Sequence, residues 1–230
     1  MRIFLIGLAL LSLFGCSGKD LQELGLAPLT EVEVTQALKD ALSYGIARSA
    51  ANASKIDGYF ANPRLKIGLP EDAEKLEKTL RKLGLGAQID RSVLQLNRAA
   101  EKAATRAKPV FIKAITAMSI DDAFDILNGD QDAATLYLMD SSRDELFDQF
   151  RPIIVAALDE TSATRYYSDI VKRYNALPLV FDVDPDLADY VTEKAVDGLF
   201  LLMAQEEARI RTISSARSSR LMKRVFGSLD

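Results

Sequence analysis

The stretch DPDLADYVTEKAVDGLFLLMAQEEARIRTI, residues 184–213, decides the fold because it predicts one long helix near the C-terminus. Asp184 can cap this helix, Pro185 suits its first position, and Asp186 suits the positive end of its dipole. No proline follows, so the helix can extend for about 40 Å at 1.5 Å per residue. Residues 198–204, GLFLLMA, are apolar on every side, as in a helix surrounded by others. The stretch therefore predicts an all-α domain packed around this helix.

The composition leaves few groups suited to catalysis. The 230 residues are 48% apolar and 27% charged, enough for one domain with a substantial core. Histidine is absent, which removes the commonest general base at neutral pH and the commonest metal ligand. The single cysteine excludes an internal disulfide and a multi-cysteine zinc site, and the net charge of −4 argues against general nucleic-acid binding. We therefore expect no cofactor, no metal and no nucleic-acid partner.

The N-terminus predicts export and lipid anchoring. An apolar run over residues 3–14 follows Arg2; it is shorter than the roughly 20 residues that span a bilayer and is typical of a signal peptide. The run ends in Leu13-Phe14-Gly15-Cys16, which resembles the lipobox of bacterial lipoproteins, in which the cysteine is lipidated. Ser17, where aspartate would favour the inner membrane, indicates the outer membrane and its periplasmic face. We predict a lipoprotein signal peptide over residues 1–15, lipidation at Cys16 and a tether over residues 16–29; the alternative is a buried cysteine in an N-terminal helix.

Residues 30–227 predict a single helical domain of seven to nine helices. Thr30 and Glu33 form a capping box for a first helix that runs to about Ala53. Within residues 57–69, Leu65, Ile67 and Leu69 alternate with Arg64, Lys66 and Gly68, so we expect at most one short β-hairpin or an extended arm lying on the helices. Further helices are predicted over residues 70–83, 88–107 with a continuation past Pro109 over 110–118, 119–129, 130–139, from Ser142 past Pro152, 161–174 and 219–226.

Short motifs spread over this domain resemble one bacterial family. They include Asn97-Arg98-Ala99-Ala100-Glu101, Lys108-Pro109, Ala133-Ala134-Thr135, Tyr174-Asn175, Tyr190-Val191-Thr192, Lys194-Ala195, Asp197-Gly198-Leu199-Phe200 and the Val225-Phe226-Gly227 ending. These motifs are similar to the domain of unknown function 4197 family of lipoprotein-like proteins, over about residues 24–227. The resemblance implies an exported helical protein and carries no known activity, substrate or catalytic residue.

Glu206 is the most unusual residue of the long helix. On a helical wheel it lies on the stripe that Leu199, Met203 and Ile210 form, whereas Glu207 can turn away. A buried carboxylate needs a partner, and Arg98 and Lys108 are the candidates. The pair is then either a structural network that holds helices in register or the polar floor of a ligand pocket.

Aromatic and acidic residues near the long helix suggest two further sites. Tyr166-Tyr167, Tyr174 and Tyr190 can line a cleft with their hydroxyls, or can lie half-buried at the edge of the domain. The acids of residues 182–193 have part of a calcium-loop spacing, but Leu187 occupies the position that requires glycine. We therefore favour an acidic helix start over a calcium site. The predicted ligand-binding residues are Glu206, Arg98, Lys108, Lys194, Tyr166 and Tyr190, with no catalytic residue assigned.

Charge is distributed unevenly along the chain. Residues 121–148 hold nine acids and one base, whereas residues 208–229 hold six bases and no acid. The basic segment can fold back on this acidic middle, complement the negative end of the long helix, or contact anionic lipid. Taken together, the sequence favours a periplasm-facing, lipid-anchored protein that binds a small molecule or an envelope protein. The alternative is a carboxylate-dependent hydrolase with its site near Glu206.

Overall fold

Nine α-helices account for most of the part of the chain that the structure describes. The structure is a computed structural model, and it describes residues 27–121, 123–178, 180, 183–184 and 186–230. The predicted signal peptide, Cys16 and most of the tether lie outside these residues. The helices are α1 (Glu31–Ala53), α2 (Glu74–Lys82), α3 (Gly86–Ala104), α4 (Ala107–Ala117), α5 (Ala123–Asn128), α6 (Ala133–Glu160), α7 (Ala163–Asn175), α8 (Ala188–Thr212) and α9 (Arg220–Phe226).

The prediction of an all-α bundle around a long helix is confirmed. The described residues contain no β-strand, and Glu31–Asp230 forms one compact unit. Helix α8 packs between α1 and α6, with Leu199 and Met203 fully buried. Phe200 meets Phe111 of α4 edge to face, with 5.3 Å between ring centroids. None of the described helices is long and apolar enough to cross a membrane.

The start of α8 differs from the prediction. The helix begins at Ala188 and not at Pro185, which lies outside the described residues. Asp184 accepts a hydrogen bond from the Asp186 amide, and Asp186 accepts one from the Ala188 amide, each at 2.8 Å. These carboxylates therefore form local turns just before the helix, because aspartate bonds readily to the backbone two residues on.

Helix α6 also corrects the prediction, since a break was expected between Met139 and Ser142. The helix runs without interruption from Ala133 to Glu160. Ser142 donates its hydroxyl to the Leu138 carbonyl one turn back, as Ser141 does to Tyr137. A serine that bonds back in this way lies inside a helix and does not cap a new one.

Two other helix ends lie close to their predicted positions, residues 83 and 219. Gly84 adopts a positive φ of 80° after α2, and the Leu85 amide donates to the Leu80 carbonyl, which closes the helix in a Schellman motif. The Ser219 side chain accepts a hydrogen bond from the Met222 amide and caps α9.

The strand-like stretch forms an arm without a β-partner. Residues 54–65 form a series of turns, and residues 66–70 follow without regular secondary structure. Leu65 and Ile67 are buried, whereas Arg64 and Lys66 are exposed. The stretch forms no hairpin in the described residues; it is an irregular arm that lies against α3 and α8.

Candidate functional site

The predicted pairing of Glu206 with Arg98 or Lys108 is wrong. Glu206 is 8% exposed, and its carboxylate pairs with Arg48 of α1 at 2.9 Å and with Arg209 at 2.9 Å. The candidates lie on α3 and α4, whereas the two cations that bind Glu206 lie on α1 and on α8 itself. Lys194 lies twelve residues earlier on the same helix, about 18 Å away along its axis. A closed, paired Glu206 does not favour the hydrolase hypothesis.

Its neighbour Glu207, predicted to turn away from the core, is more deeply buried at 2% exposure. It accepts hydrogen bonds from the amides of Ala134 and Thr135 and from the Thr135 hydroxyl, at 2.7–3.0 Å. These amides belong to the first turn of α6, where a carboxylate complements the helix dipole.

Arg211 completes the arrangement that we call the Glu207 network, which consists of Glu207, Arg211, Thr135 and the helix ends they bind. The Arg211 guanidinium donates to Glu207 at 2.9 Å and to the Leu127 and Ile126 carbonyls at 2.6 and 3.0 Å. These carbonyls end α5, so one buried ion pair caps two helices at once. The sequence did not predict this network, because a helical wheel with one apolar stripe assumes one buried face. In the structure α8 packs against both α1 and α6, so Glu206 and Glu207 are both buried.

Arg98 and Glu101 of α3 hold the start of the arm. Glu101 is 4% exposed, and its Oε1 accepts hydrogen bonds from the Tyr59 and Phe60 amides, both at 3.2 Å. Arg98 donates to the other oxygen of Glu101 at 2.6 Å and to Asp57 at 2.7 Å. Arg98 is therefore bound within the protein and is not aimed into a cavity.

Asn97 of α3 binds the second part of the arm through both backbone groups of one residue, Ile67. Its side-chain oxygen accepts the Ile67 amide at 2.9 Å, and its side-chain nitrogen donates to the Ile67 carbonyl at 2.8 Å. Both backbone groups of Ile67 are thus satisfied by one amide side chain.

The arm packs closely on α8 at Gly198. The buried Tyr59 hydroxyl donates to the Ala195 carbonyl at 2.7 Å. A Cβ at Gly198 would lie 2.9 Å from Tyr59 Cε1 and 3.2 Å from Leu65 Cδ2. Only glycine lets the arm approach the helix this closely. Tyr190, eight residues earlier, donates its hydroxyl to the Gly68 and Leu69 carbonyls, both at 3.3 Å.

Between the arm and α8 lies a cleft of about 440 Å³, which we call the loop–helix cleft. Of the six predicted ligand-binding residues, Lys194 and Tyr190 line it, with the Lys194 ammonium 5.8 Å from the Tyr190 ring centroid. Glu206 and Arg98 are paired elsewhere, Lys108 is exposed on α4, and Tyr166 lies under the Arg91 guanidinium at 4.9 Å. The cleft is lined by Arg64, Leu65, Lys66, Ile67, Gly68, Tyr190, Lys194, Asp197, Gly198 and Leu201.

The charge of this cleft is predominantly positive. Arg64, Lys66 and Lys194 are exposed and form no ion pair within the described part of the chain. The carboxylate of the cleft, Asp197, is bound by Arg143 at 2.7 Å. Arg64 and Lys66 were not predicted as site residues, although their alternation with the buried Leu65 and Ile67 already placed them on the outer edge of the arm.

A second cavity of about 480 Å³ lies on the other side of the arm and shares Lys66 and Gly68 with the cleft. Its charges are largely satisfied, because Arg81 pairs with both Glu77 and Asp90, at 2.8 and 2.6 Å. The hydrogen bond from Arg81 holds the pKa of Asp90 below its usual range. The loop–helix cleft, with its unpaired cations, is therefore the better candidate site.

The described residues contain no group of three or more histidine, cysteine, aspartate or glutamate side chains placed to hold a metal ion. The basic C-terminal segment mostly binds carboxylates of the chain itself. Arg217 is 3% exposed, donates to the Ile210 and Arg211 carbonyls at the end of α8, and pairs with Asp230 at 2.7 Å, while Arg224 pairs with Glu33.

Comparison with known proteins agrees with the family resemblance. The family model described as "Protein of unknown function (DUF4197)" matches residues 28–227, which includes every helix and the whole cleft. No curated protein and no solved structure matches the chain. The chain therefore belongs to the DUF4197 family.

Proposed function

We propose that this protein is an exported, lipid-anchored binding module that holds a small ligand in the loop–helix cleft without chemically changing it. The observation that carries this proposal is the construction of the cleft. Asn97, Glu101 and Tyr59 fix the arm to α3 and α8, so the walls of the cavity are held by the fold itself. A preformed concave site with a few polar groups is the usual form of a small-molecule site.

The groups in the cleft support binding over catalysis. Asp197 is held by Arg143, and the Tyr190 hydroxyl donates to backbone carbonyls, so neither is poised as a general acid or base. General acid–base catalysis depends on a positioned group whose proton is available to the substrate. The remaining polar groups are cations, which bind and orient a ligand.

The proposed location comes from the N-terminal sequence. Leu13 to Cys16 supports lipidation at Cys16, and Ser17 supports sorting to the outer membrane, with the domain facing the periplasm. An envelope protein is the other partner class that such a location offers. We propose no nucleic-acid partner, in keeping with the net charge of −4.

A steric plug tests the ligand site. Gly68 lines the cleft, and a Cβ there meets no atom within 4 Å, so Gly68→Trp has room to start a large side chain beside the cleft and the second cavity. Ala61→Trp is the matched control, since Ala61 is exposed on the same arm and does not line the cleft. Each protein is purified from its native envelope, and the small molecules it retains are identified by mass spectrometry. We expect wild type and Ala61→Trp to retain a molecule that Gly68→Trp loses; equal retention by all three contradicts the proposal.

Membrane fractionation tests the anchor. We expect Cys16→Ser to leave the mature protein in the soluble fraction, because one lipidated cysteine supplies the hydrophobic attachment. A Cys16→Ser protein that remains with the membranes after its leader has been removed contradicts lipid anchoring.

A further inference from the structure

We infer that the ligand of the loop–helix cleft is a small organic dianion, of the phosphate-ester or dicarboxylate class, bound by Arg64, Lys66 and Lys194. This inference rests on the proposed function of the cleft and adds the chemistry of its ligand. It depends on three observations, which concern the charges, the shape of the site and the rigidity of its walls.

The first observation is an excess of positive charge. Three cations line one cavity, and the carboxylate that faces them is already neutralised by Arg143 at 2.7 Å. Elsewhere most arginines near the surface pair with acids, as Arg81 and Arg98 each do with two carboxylates. What distinguishes the cleft is that three cations without an ion pair in the described residues line the same cavity. Two negative charges on a ligand would balance most of this excess.

The second observation is where these cations lie. The three cations surround a concave site and do not lie on a convex surface. Its wall includes the buried Leu65 and the half-buried Leu201. Apolar walls lower the local dielectric, so an anion there interacts more strongly with a cation than it would on an open surface. The volume of about 440 Å³ suits a small organic anion.

The third observation is the fixed position of the cation-bearing elements. Arg64 and Lys66 flank Leu65 on the arm that Asn97 and Glu101 hold. Lys66 borders both cavities, and its ammonium lies 4.5 Å from the ring centroid of Phe60, which lines the second one. Lys194 lies on the rigid α8, against the Tyr190 ring. Because the backbones that carry these cations are held in place, the three side chains stay within reach of one cavity, which prepares the site for an anion.

A charge series of otherwise similar probes tests the inference. Phenyl phosphate, benzoate and benzamide carry about two, one and no negative charges, and each can be titrated into the full-length protein by calorimetry. We expect phenyl phosphate to bind at least about tenfold more tightly than benzamide, with benzoate between them. We expect its affinity to fall when the salt concentration rises from about 0.05 M to about 0.5 M.

Charge reversal locates the binding. Lys194→Glu is expected to weaken phenyl phosphate binding by at least about tenfold, because it replaces an attraction with a repulsion. Lys108→Glu is the matched control, an exposed helical lysine outside the cleft, and is expected to change the affinity by less than about twofold. Gly68→Trp should reduce binding of every probe that enters the cleft.

The outcomes separate the two proposals. If benzamide binds as tightly as phenyl phosphate and Gly68→Trp blocks both, the surface beside the arm is a binding site and the anion inference is overturned. If none of the probes binds, the anion inference is also overturned. The proposed function is then decided by whether the protein purified from its native envelope retains a small molecule. If phenyl phosphate binds equally to wild type, Lys194→Glu and Gly68→Trp, the cleft is not the site and both proposals fail.

A competition experiment distinguishes two sources of the same phosphate chemistry. Phosphatidylcholine vesicles with and without phosphatidic acid are added to the protein loaded with phenyl phosphate. Displacement by the anionic vesicles alone assigns the phosphate to a lipid headgroup, and no displacement assigns it to a soluble ligand. The anion inference stands in both cases.

Discussion

The Glu207 network and the loop–helix cleft use the same long helix for opposite purposes. In the network, Glu207 and Arg211 are buried and every charged group binds a partner. In the cleft, Lys194 is exposed and the cations around it form no ion pair within the described residues. Satisfied, buried charge fixes the ends of helices, whereas unsatisfied charge in a formed cavity is available to a ligand. The difference shows where α8 supports the fold and where it can serve a function.

The largest effect should come from breaking the network. Glu207→Ala leaves Arg211 charged and buried and removes the cap of α6, so we expect a loss of about 3–5 kcal/mol in the free energy of unfolding. Urea denaturation followed by circular dichroism measures this loss. Glu206→Ala is the control, because its partners Arg48 and Arg209 are 42% and 46% exposed, and it should cost only about 0–1 kcal/mol. Equal losses in the two variants would remove the distinction between the two carboxylates.

A smaller effect is expected where the arm meets α8. Gly198→Ala places a methyl group 2.9 Å from the Tyr59 ring, and overpacking of this kind costs about 1–3 kcal/mol. Gly68→Ala, whose Cβ meets nothing within 4 Å, is the control and should be nearly neutral. Thermal unfolding of both variants compares them. A neutral Gly198→Ala would mean that the arm does not need its close approach to the helix.

Tyr59 gives a test that depends on pH. Burial, with Glu101 and Asp197 adding to it, raises the pKa of the Tyr59 hydroxyl far above its usual range. The folded state therefore keeps the proton. Stability from this group is complete below about pH 10 and falls above it, by up to about 1.4 kcal/mol per pH unit, because only the unfolded chain releases the proton.

Tyr59→Phe lacks the hydrogen bond to Ala195, so its free energy of unfolding at neutral pH should be lower than that of wild type by about 1 kcal/mol. Above pH 10, the free energy of unfolding should fall less steeply with pH in Tyr59→Phe than in wild type. Urea denaturation at about pH 8 and about pH 11 compares the two proteins. Tyr44→Phe, at a half-buried tyrosine of α1, controls for general tyrosine ionisation. Parallel curves for wild type and Tyr59→Phe would contradict a buried, protonated Tyr59.

The smallest effect on stability is expected in the cleft itself. Lys194→Glu changes an exposed side chain that forms no ion pair in the described structure, so the free energy of unfolding should change by no more than about 0.5 kcal/mol. Calorimetric unfolding of Lys194→Glu and Lys108→Glu measures this. If Lys194→Glu alone strongly lowered the free energy of unfolding, Lys194 would have a structural role and not a ligand-binding one.

Several local features were predictable because they depend on near neighbours in the chain. Gly84 ends α2 as expected, since a helix end needs a residue that tolerates positive φ. The alternation of Leu65 and Ile67 with Arg64 and Lys66 predicted an extended arm or a short hairpin on the helices, and the structure has an irregular arm there. Asp184 was placed as a cap but forms a turn with Asp186, because short aspartate side chains have several backbone partners within reach.

The sequence by itself determined the helical fold class, the central position of α8 and a buried acid near its C-terminal half, because apolar periodicity and composition carry this information. Only the tertiary structure decided that Glu207 is the more deeply buried acid, since α1 and α6 cover α8 from different sides and a single wheel assumes one buried stripe. It also decided that Lys194 and Tyr190 meet Arg64 and Lys66, because residues more than 120 positions apart come together only when the arm folds onto the helix.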